Sequence, residues 1–364
     1  MSQIERIDTN FRVETNIDKA DIKFYDVNTQ PFKIYGVFYE NGKFRRMPES
    51  VAKQVSNGVY SLHTNTSGGR IRFKTNSPYV AISANLENIG RMPHFALSGS
   101  AGFDLYEKKG GEKYLGTFIP PYDMDDGYEA IIELGSSKMR DLTINLPLYT
   151  DVNELYIGLS AGAVVSEPTP YKVSSPIVFY GSSITQGGCA SRPGNSYAAL
   201  ISQELNVNFV NLGFSGNCKA ETEIGDYIKN LDMSLFVMDY DHNAPSVEHL
   251  SETHERLFKQ VRAQNPNLPI IILTRPKWFL SKEENERRKI IKQTYKNAKA
   301  SKDRHVYFID SDTLLNECGN NGTVDMCHPN DWGFYSISRP LIKLIKRLIW
   351  NKTVHNTNMD RLTK

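Results

Sequence analysis

The side chains of this 364-residue sequence that could do covalent chemistry gather in four short stretches. They are Gly181-Ser182-Ser183-Ile184-Thr185, Asn211-Leu212-Gly213-Phe214-Ser215-Gly216-Asn217, Asp239-Tyr240-Asp241-His242-Asn243 and Asp325-Met326-Cys327-His328-Pro329-Asn330. Between them they offer a hydroxyl, carboxylates, two histidines, an amide and a flexible glycine, an inventory that suits nucleophilic acyl transfer. A serine hydroxyl is a weak nucleophile and needs a base beside it. His328 is the natural base. Asp325, earlier on the same loop, can hold one imidazole nitrogen and stabilise the imidazolium that forms. The tetrahedral intermediate of such a reaction carries an oxyanion that requires fixed donors. The backbone N–H groups of Ser183 and Gly216 and the side-chain amide of Asn243 are the candidates.

These stretches need elements that bring them together. From residue 177 onward, short apolar strands (177–180, 208–211, 235–239, 270–274 and 306–309) alternate with helical patterns (196–205, 221–230, 247–264 and 282–302). A last amphipathic helix is expected over about 334–350. Such alternation predicts a five-stranded parallel sheet covered on both faces, with ligands at the carboxyl ends of its strands. The chemical stretches fall just past those ends or just before the last helix. Residues 1–166 read differently, as short β-branched and aromatic strands at 70–74, 79–86, 103–106, 114–118, 130–134, 142–146 and 154–159. Gly, Asn, Pro and Ser clusters separate them, which predicts an all-β sandwich or jelly roll. Residues 167–176 read as a proline-rich linker, 177–350 as the catalytic domain and 351–364 as a polar, frayed tail.

At this point the sequence resembles the SGNH (GDSL-type) hydrolase superfamily. That family's first block, Gly-Asp-Ser-x-[Ser/Thr], is matched by Gly181 to Thr185 with Ser in place of Asp, which puts the nucleophile at Ser183 rather than Ser182. The oxyanion glycine falls on Gly216. Asp241-His242-Asn243-Ala244 keeps the Asn of the third block but lacks its Gly and final Asp. Asp325 to Pro329 matches Asp-x-x-His-Pro in full. Upstream, Gly102-Phe103-Asp104-Leu105-Tyr106 resembles the Gly-x-Asp-Leu-Tyr signature of a β-rich domain preceding a subgroup of these hydrolases. The resemblance implies a three-layer αβα, flavodoxin-like catalytic domain. It also implies an esterase working through an acyl-enzyme with Ser183, Asp325 and His328 as catalytic residues and Ser183, Gly216 and Asn243 as the oxyanion hole. No cofactor is implied. Its substrate range spans acetylated polysaccharides and oligosaccharides, lipids and small esters.

Within that range a carbohydrate O-acetylesterase is favoured, by the β-rich companion domain and by aromatic and Arg residues near loop ends. Arg192, Trp278 and Trp332 are the substrate-binding candidates, with Arg275 nearby, because aromatic faces suit the apolar C–H surfaces of sugar rings. A lipase or acyl-thioesterase, a transacylase and a non-catalytic glycan-binding protein are the alternatives. The loop at 88–100, with Arg91 and His94, is a hypothetical contributor to the site. Other residues have plainer readings. His242 is expected beside the site rather than as a base. Asp239 and Asp241 can fix loop backbone. Lys343, Lys346 and Arg347 form a solvated helix face. His249 and His254 do not share a helix face as a His-x-x-x-His metal pair would, so no catalytic metal is expected. No Gly-x-Ser-x-Gly elbow surrounds Ser183 or Ser215, which argues against an α/β-hydrolase.

Lys plus Arg number 43 and Asp plus Glu 41, a net charge of +2, so no nucleic-acid or anionic-membrane partner is expected. A homo-oligomer is compatible with the sequence. No apolar run approaches the roughly 20 residues of a membrane span. The first residues lack a basic-then-apolar signal pattern, so the expectation is a cytoplasmic protein. The four cysteines read as free thiols, with a Cys318–Cys327 bridge as the sharper alternative.

Overall fold

The computed structural model describes residues 6–13 and 15–359. In chain order the first half runs β1 (Ile22–Asp26), β2 (Lys33–Tyr35), β3 (Phe38–Glu40), β4 (Lys43–Arg45), α1 (Glu49–Val55), α2 (Asn57–Leu62), β5 (Arg70–Thr75) and β6 (Tyr79–Glu87). It continues with α3 (Leu97–Ser100), β7 (Phe103–Lys108), β8 (Glu112–Phe118), β9 (Gly127–Glu133), β10 (Arg140–Asn145), β11 (Asp151–Ser160) and β12 (Val165–Ser166). Two antiparallel sheets result, one ordered β1-β11-β6-β9 and the other β12-β5-β10-β7-β8 with β2 on β5. Their inward residues form one core: Val80, Ile82, Ile157 and Leu159 from the first sheet, and Ile71, Phe73, Leu105 and Ile144 from the second. Each of the seven strands expected from the sequence is present, with its ends shifted by no more than three residues. The β3–β4 hairpin was not anticipated. Its signal is Asn41-Gly42, whose positive φ values of 52° and 76° fit the tight turn that this dipeptide favours.

The helices α1 and α2 were not anticipated either, and they cross the expected division of the chain. Met47, Ala52, Val55 and Val59 join the core beneath the second half rather than the sandwich core. Fully burying a Val or Met side chain contributes roughly 1.5–3 kcal/mol, so this segment is firmly held there.

The second half comprises β13 (Val173–Gly181), α4 (Ser183–Gln186), α5 (Tyr197–Leu205), β14 (Val207–Gly213), α6 (Thr222–Lys229), β15 (Leu235–Asp239), α7 (Val247–Gln264), β16 (Ile270–Leu273), α8 (Lys282–Ala300), β17 (Val306–Ile309), α9 (Ser311–Leu314) and α10 (Asp331–Met359). Its five strands are parallel in the order β14-β13-β15-β16-β17, the flavodoxin-like arrangement. Side chains alternate between its faces: Ile177 and Phe179 pack under α5 and α10, while Val178 and Tyr180 pack under α6, α7 and α8. Thus an αβα domain follows an antiparallel β-rich region.

Two details differ from expectation. The stretch expected to be linker up to residue 176 already pairs at Val173, where β13 begins, and the register with β14 shifts before Ile177 so that Pro176 is accommodated. The last helix runs on to Met359, so most of the expected frayed tail is helical; residues 360–364 lie outside the described residues. All four cysteines are free, so Cys318 and Cys327 are not bridged. Among the described residues no helix is long and apolar enough to cross a membrane.

The two halves are joined through the Gly-Phe-Asp-Leu-Tyr stretch. Asp104, fully buried on β7, accepts from Asn145 Nδ2 at 2.7 Å and from the Gly194 N–H of the second half at 2.8 Å. Burial pushes its carboxyl up to about 6 despite these bonds. Arg192 lies alongside, its guanidinium 4.0 Å from the Tyr114 ring centre and its Nε 3.7 Å from Asp104. Replacing Asp104 by Ala strands two buried donors at about 1–3 kcal/mol each. We expect Asp104→Ala to lose roughly 2–5 kcal/mol of unfolding free energy in urea titrations, whereas an unchanged midpoint would show that the 193–195 turn is held by other contacts.

Candidate active site

The turn from β13 into α4 is shaped by two residues that do no chemistry. A Cβ on Gly181 would sit 2.0 Å from Thr185 Oγ1, so only glycine lets the chain turn this tightly. Ser182 caps the helix, its Oγ accepting from the Ile184 N–H at 3.2 Å. That use of Ser182 leaves Ser183 at the first helical position. Its carbonyl accepts from the N–H groups of Gly187 and Gly188 at 3.0 and 2.8 Å and from Tyr149 Oη at 3.2 Å. Its Oγ lies 2.9 Å from His328 Nε2.

His328 sits in a loop closed on itself. The Val324 N–H donates to the His328 carbonyl at 2.9 Å. Asp325 Oδ1 accepts from the N–H groups of Cys327 and His328 at 3.0 and 2.7 Å, and Oδ2 lies 2.7 Å from His328 Nδ1. Partial burial would raise the Asp325 carboxyl, but these bonds outweigh it and hold the group below the usual carboxylate range. The carboxylate therefore stays ionised against the imidazole.

Strand register sets the third part. Gly181 pairs with Gly213 on one side and Asp239 on the other, so the loops after β13, β14 and β15 leave the sheet at one level. Gly216 turns with φ +68°, and among the described residues its N–H donates to no protein acceptor. Asn243 Oδ1 accepts from the Cys218 N–H at 3.3 Å, which leaves the Nδ2 hydrogens for another acceptor. A relay from Ser183 through His328 to Asp325, with free donors on the neighbouring loop, can transfer an acyl group.

Several supporting residues were not foreseen. Gln186, one helical turn beyond Ser183, accepts the Ser215 N–H on Oε1 at 3.0 Å. Its Nε2 donates to Asn65 Oδ1 and the Leu148 carbonyl, both in the β-rich region, at 3.1 Å each. Arg46, fully buried, donates to the carbonyls of Gly213 and Leu62 at 2.5 and 2.6 Å and stacks over Phe214. The i, i+3 spacing of Gln186 from Ser183 is a signal that could have been read; Arg46 has none. Asp239 accepts from Thr185 Oγ1 at 2.8 Å and Tyr197 Oη at 3.1 Å, and burial pushes its carboxyl up to about 7. Asp241 is buried too, but the Arg275 guanidinium grips it at 2.6 and 2.8 Å and keeps it below the usual range. His242, desolvated and near Arg275, falls to about 4 and so stays neutral.

Of the substrate-binding candidates, Arg192 is occupied by the β-rich region, stacking over Tyr114 and lying beside Asp104. Arg275 is likewise consumed by Asp241 and Glu284. Trp278 and Trp332 remain exposed at 41% and 50%. Trp278 lies against Gly319, and Trp332 follows directly after the start of α10, next to the His328 loop. From the loop at 88–100, Arg91 bonds the Met124 carbonyl, whereas the His94 ring lies 5.7 Å from that of His328. His249 bonds the Lys219 carbonyl and His254 bonds Thr294, so each is structural.

A doubly wound parallel sheet with this relay at its carboxyl edge is the framework of a serine acyl hydrolase. Residues 174–346 match the GDSL-like Lipase/Acylhydrolase family, and residues 22–165 match the N-terminus of the SGNH-hydrolase type of esterase. The chain thus carries a GDSL-like lipase/acylhydrolase domain behind the N-terminal domain of that esterase type. It is similar to a protein of Bacteroides ovatus classed as a GDSL-like lipase, at 28% identity and TM-score 0.81, covering 90% of this chain and 98% of that one. The salicylyl-acyltransferase SsfX3 of a tetracycline biosynthetic pathway shares the fold at 18% identity and TM-score 0.73, over 88% and 95% of the two chains. The acetyl xylan esterase Est2A of Butyrivibrio proteoclasticus does so at 10% and 0.59, over 91% and 99%. No curated protein matches the sequence.

Two outcomes follow from this geometry. Gln186→Leu frees the Ser215 N–H and loosens the loop bearing Gly216. Losing an oxyanion donor outright costs about 100- to 1000-fold, so we expect displacement to lower kcat by about 10- to 100-fold with KM little changed. An unchanged kcat in a folded variant would refute the coupling. The second concerns pH. The Asp239 carboxyl ionises near 3.8 when unfolded but holds its proton to about 7 when folded. Between these values the folded state binds more protons, so stability due to this group is full at low pH and declines as pH rises through the interval. Compared with Asp239→Asn in urea, the wild type should lose relative stability from pH 4.5 to pH 7.5, and parallel profiles would contradict this.

Proposed function

We propose that the protein is a serine esterase acting through an acyl-enzyme, and that it removes O-acetyl groups from carbohydrate. The observation that carries the esterase reading is the continuous relay, with Ser183 Oγ 2.9 Å from His328 Nε2 and His328 Nδ1 2.7 Å from Asp325 Oδ2. Ser183 Oγ attacks the ester carbonyl while His328 Nε2 takes its proton, and the ionised Asp325 balances the imidazolium. The Ser183 and Gly216 N–H groups and Asn243 Nδ2 receive the oxyanion. His328 then returns the proton to the departing alkoxide. Water, deprotonated by the same imidazole, attacks the acyl-enzyme, and the imidazolium returns that proton to Ser183 Oγ as the carboxylic acid leaves.

The carbohydrate reading has separate support. Trp278 and Trp332 present exposed aromatic faces, Trp278 against Gly319 and Trp332 four residues after His328, and such faces bind the C–H surfaces of sugar rings. The two-region architecture is shared with an acetyl xylan esterase, Est2A, and with a family two carbohydrate esterase from Clostridium thermocellum whose structure holds cellohexaose. Acyl transfer to an alcohol other than water is the second reading, supported by the likeness to SsfX3 over nearly the whole chain.

The test is acetate release from acetylated xylo- and manno-oligosaccharides, beside aryl esters of rising acyl length. We expect turnover to fall steeply as the acyl chain grows and to drop at least about 10,000-fold in Ser183→Ala. A preference for long acyl chains would refute the carbohydrate reading. Loss of acyl donor without free acid, in the presence of an alcohol, would favour transfer.

A further inference from the structure

Beside the relay, three potential metal ligands converge from three separate elements. His94 comes from the β-rich region, Cys189 from the loop after α4, and His328 from the loop before α10. Their ligand atoms all lie within 4.8 Å of one another. The Cys189 backbone is fixed with φ +75° and its side chain is buried, whereas His94 is exposed and free to swing. A Cβ on the neighbouring Gly188 would lie 3.6 Å from His328 Cδ2, so the Cys189 loop faces the edge of the imidazole that carries Nε2. Nδ1 is held by Asp325 and is not available.

We propose that His94, Cys189 and His328 form a binding site for a borderline-soft divalent cation, zinc in the first instance, and that its occupation switches the enzyme off. Two imidazoles and a thiolate are a zinc ligand set and a poor one for Mg²⁺ or Ca²⁺. Zn–N bonds of about 2.1 Å and Zn–S bonds of about 2.3 Å put tetrahedral ligands roughly 3.5 Å apart, so the three ligands must close by up to about 1.3 Å, a matter of side-chain rotation. The thiol releases its proton to solvent as the Zn–S bond forms. The metal takes His328 Nε2, the atom that Ser183 Oγ contacts, so the base loses the lone pair with which it would accept the serine proton. Solvent fills the fourth position. The inhibitory consequence rests on His328 being the catalytic base; the binding site itself does not.

The test uses the full chain stripped with a chelator. Co²⁺ is added as a spectroscopic probe, and Zn²⁺ is titrated against esterase activity. The proposal expects a thiolate-to-cobalt charge-transfer absorption, reversible by EDTA, that is absent from Cys189→Ser and weakened in His94→Ala. It expects Zn²⁺ to inhibit the wild type, with both variants active without metal and needing at least about tenfold more Zn²⁺ for the same inhibition. Absence of the cobalt band, equal inhibition of wild type and variants, or activation by Zn²⁺ would overturn it. A cobalt band that depends on Cys189 in a protein hydrolysing no ester would instead uphold the site and count against the esterase reading.

Discussion

One hydrogen bond sets the demands on the rest of the molecule. Ser183 and His328 are 145 residues apart in sequence, yet Oγ and Nε2 must stand 2.9 Å apart. A small displacement at such a contact costs orders of magnitude in rate, because the nucleophile is only as good as its base is near. The parallel sheet meets the demand at the serine end: Gly181 is paired on both sides, and the missing side chain there, where a Cβ would meet Thr185 Oγ1, lets the chain turn straight into a helix. At the histidine end there is no strand. There the loop is made rigid by Asp325, which accepts two of the loop's own N–H groups on one oxygen and faces the imidazole with the other.

The β-rich region completes this framework rather than standing apart from it. Arg46 and Gln186 meet the loop that bears Gly216 from two directions, one through the Gly213 carbonyl and one through the Ser215 N–H. Gln186 in turn is held by Asn65 and Leu148. Asp104 grips the 193–195 turn, and Asp331 at the start of α10 grips the preceding Ser191. Most of these links are buried polar contacts, and such contacts are expensive to leave unmade. Moving one region against the other would break several together, which makes the two regions one mechanical unit around the site.

How much of this was legible follows from the kind of signal. The strands at 235–239 and 306–309 and the helix at 247–264 are where periodicity placed them, because their burial pattern is also their sequence pattern. The four loop motifs could be read because each sits at a strand or helix boundary. The helices at 49–62 were missed: at 7 and 6 residues they are too short for a periodic signal, and they are stabilised by the core of a sheet more than a hundred residues away. Arg46 and Arg192 were illegible for another reason. An arginine in sequence does not reveal whether its guanidinium meets substrate, carbonyls or an aromatic ring; here Arg46 binds backbone carbonyls and Arg192 stacks on Tyr114. Trp278 and Trp332, read by the same reasoning, did stay on the surface.

Three aspartates near the site show how environment assigns roles to one chemical group. Asp239 is buried among hydroxyl donors with no cation beside it, so desolvation prevails and its proton is kept up to about 7. Asp241 is as deeply buried, but a bidentate guanidinium neutralises it, and Arg275 is itself anchored by Glu284. Asp325 is partly exposed and bound by N–H donors and an imidazole, so it carries its charge toward His328. With Asp239 holding its proton up to about 7 and Asp241 paired, the ionised Asp325 is the carboxylate left to face the proposed base. His242, kept neutral nearby, adds no competing positive charge. The geometry and the charge pattern therefore both support the proposed direction of proton flow, from Ser183 to His328, with Asp325 as its counter-ion.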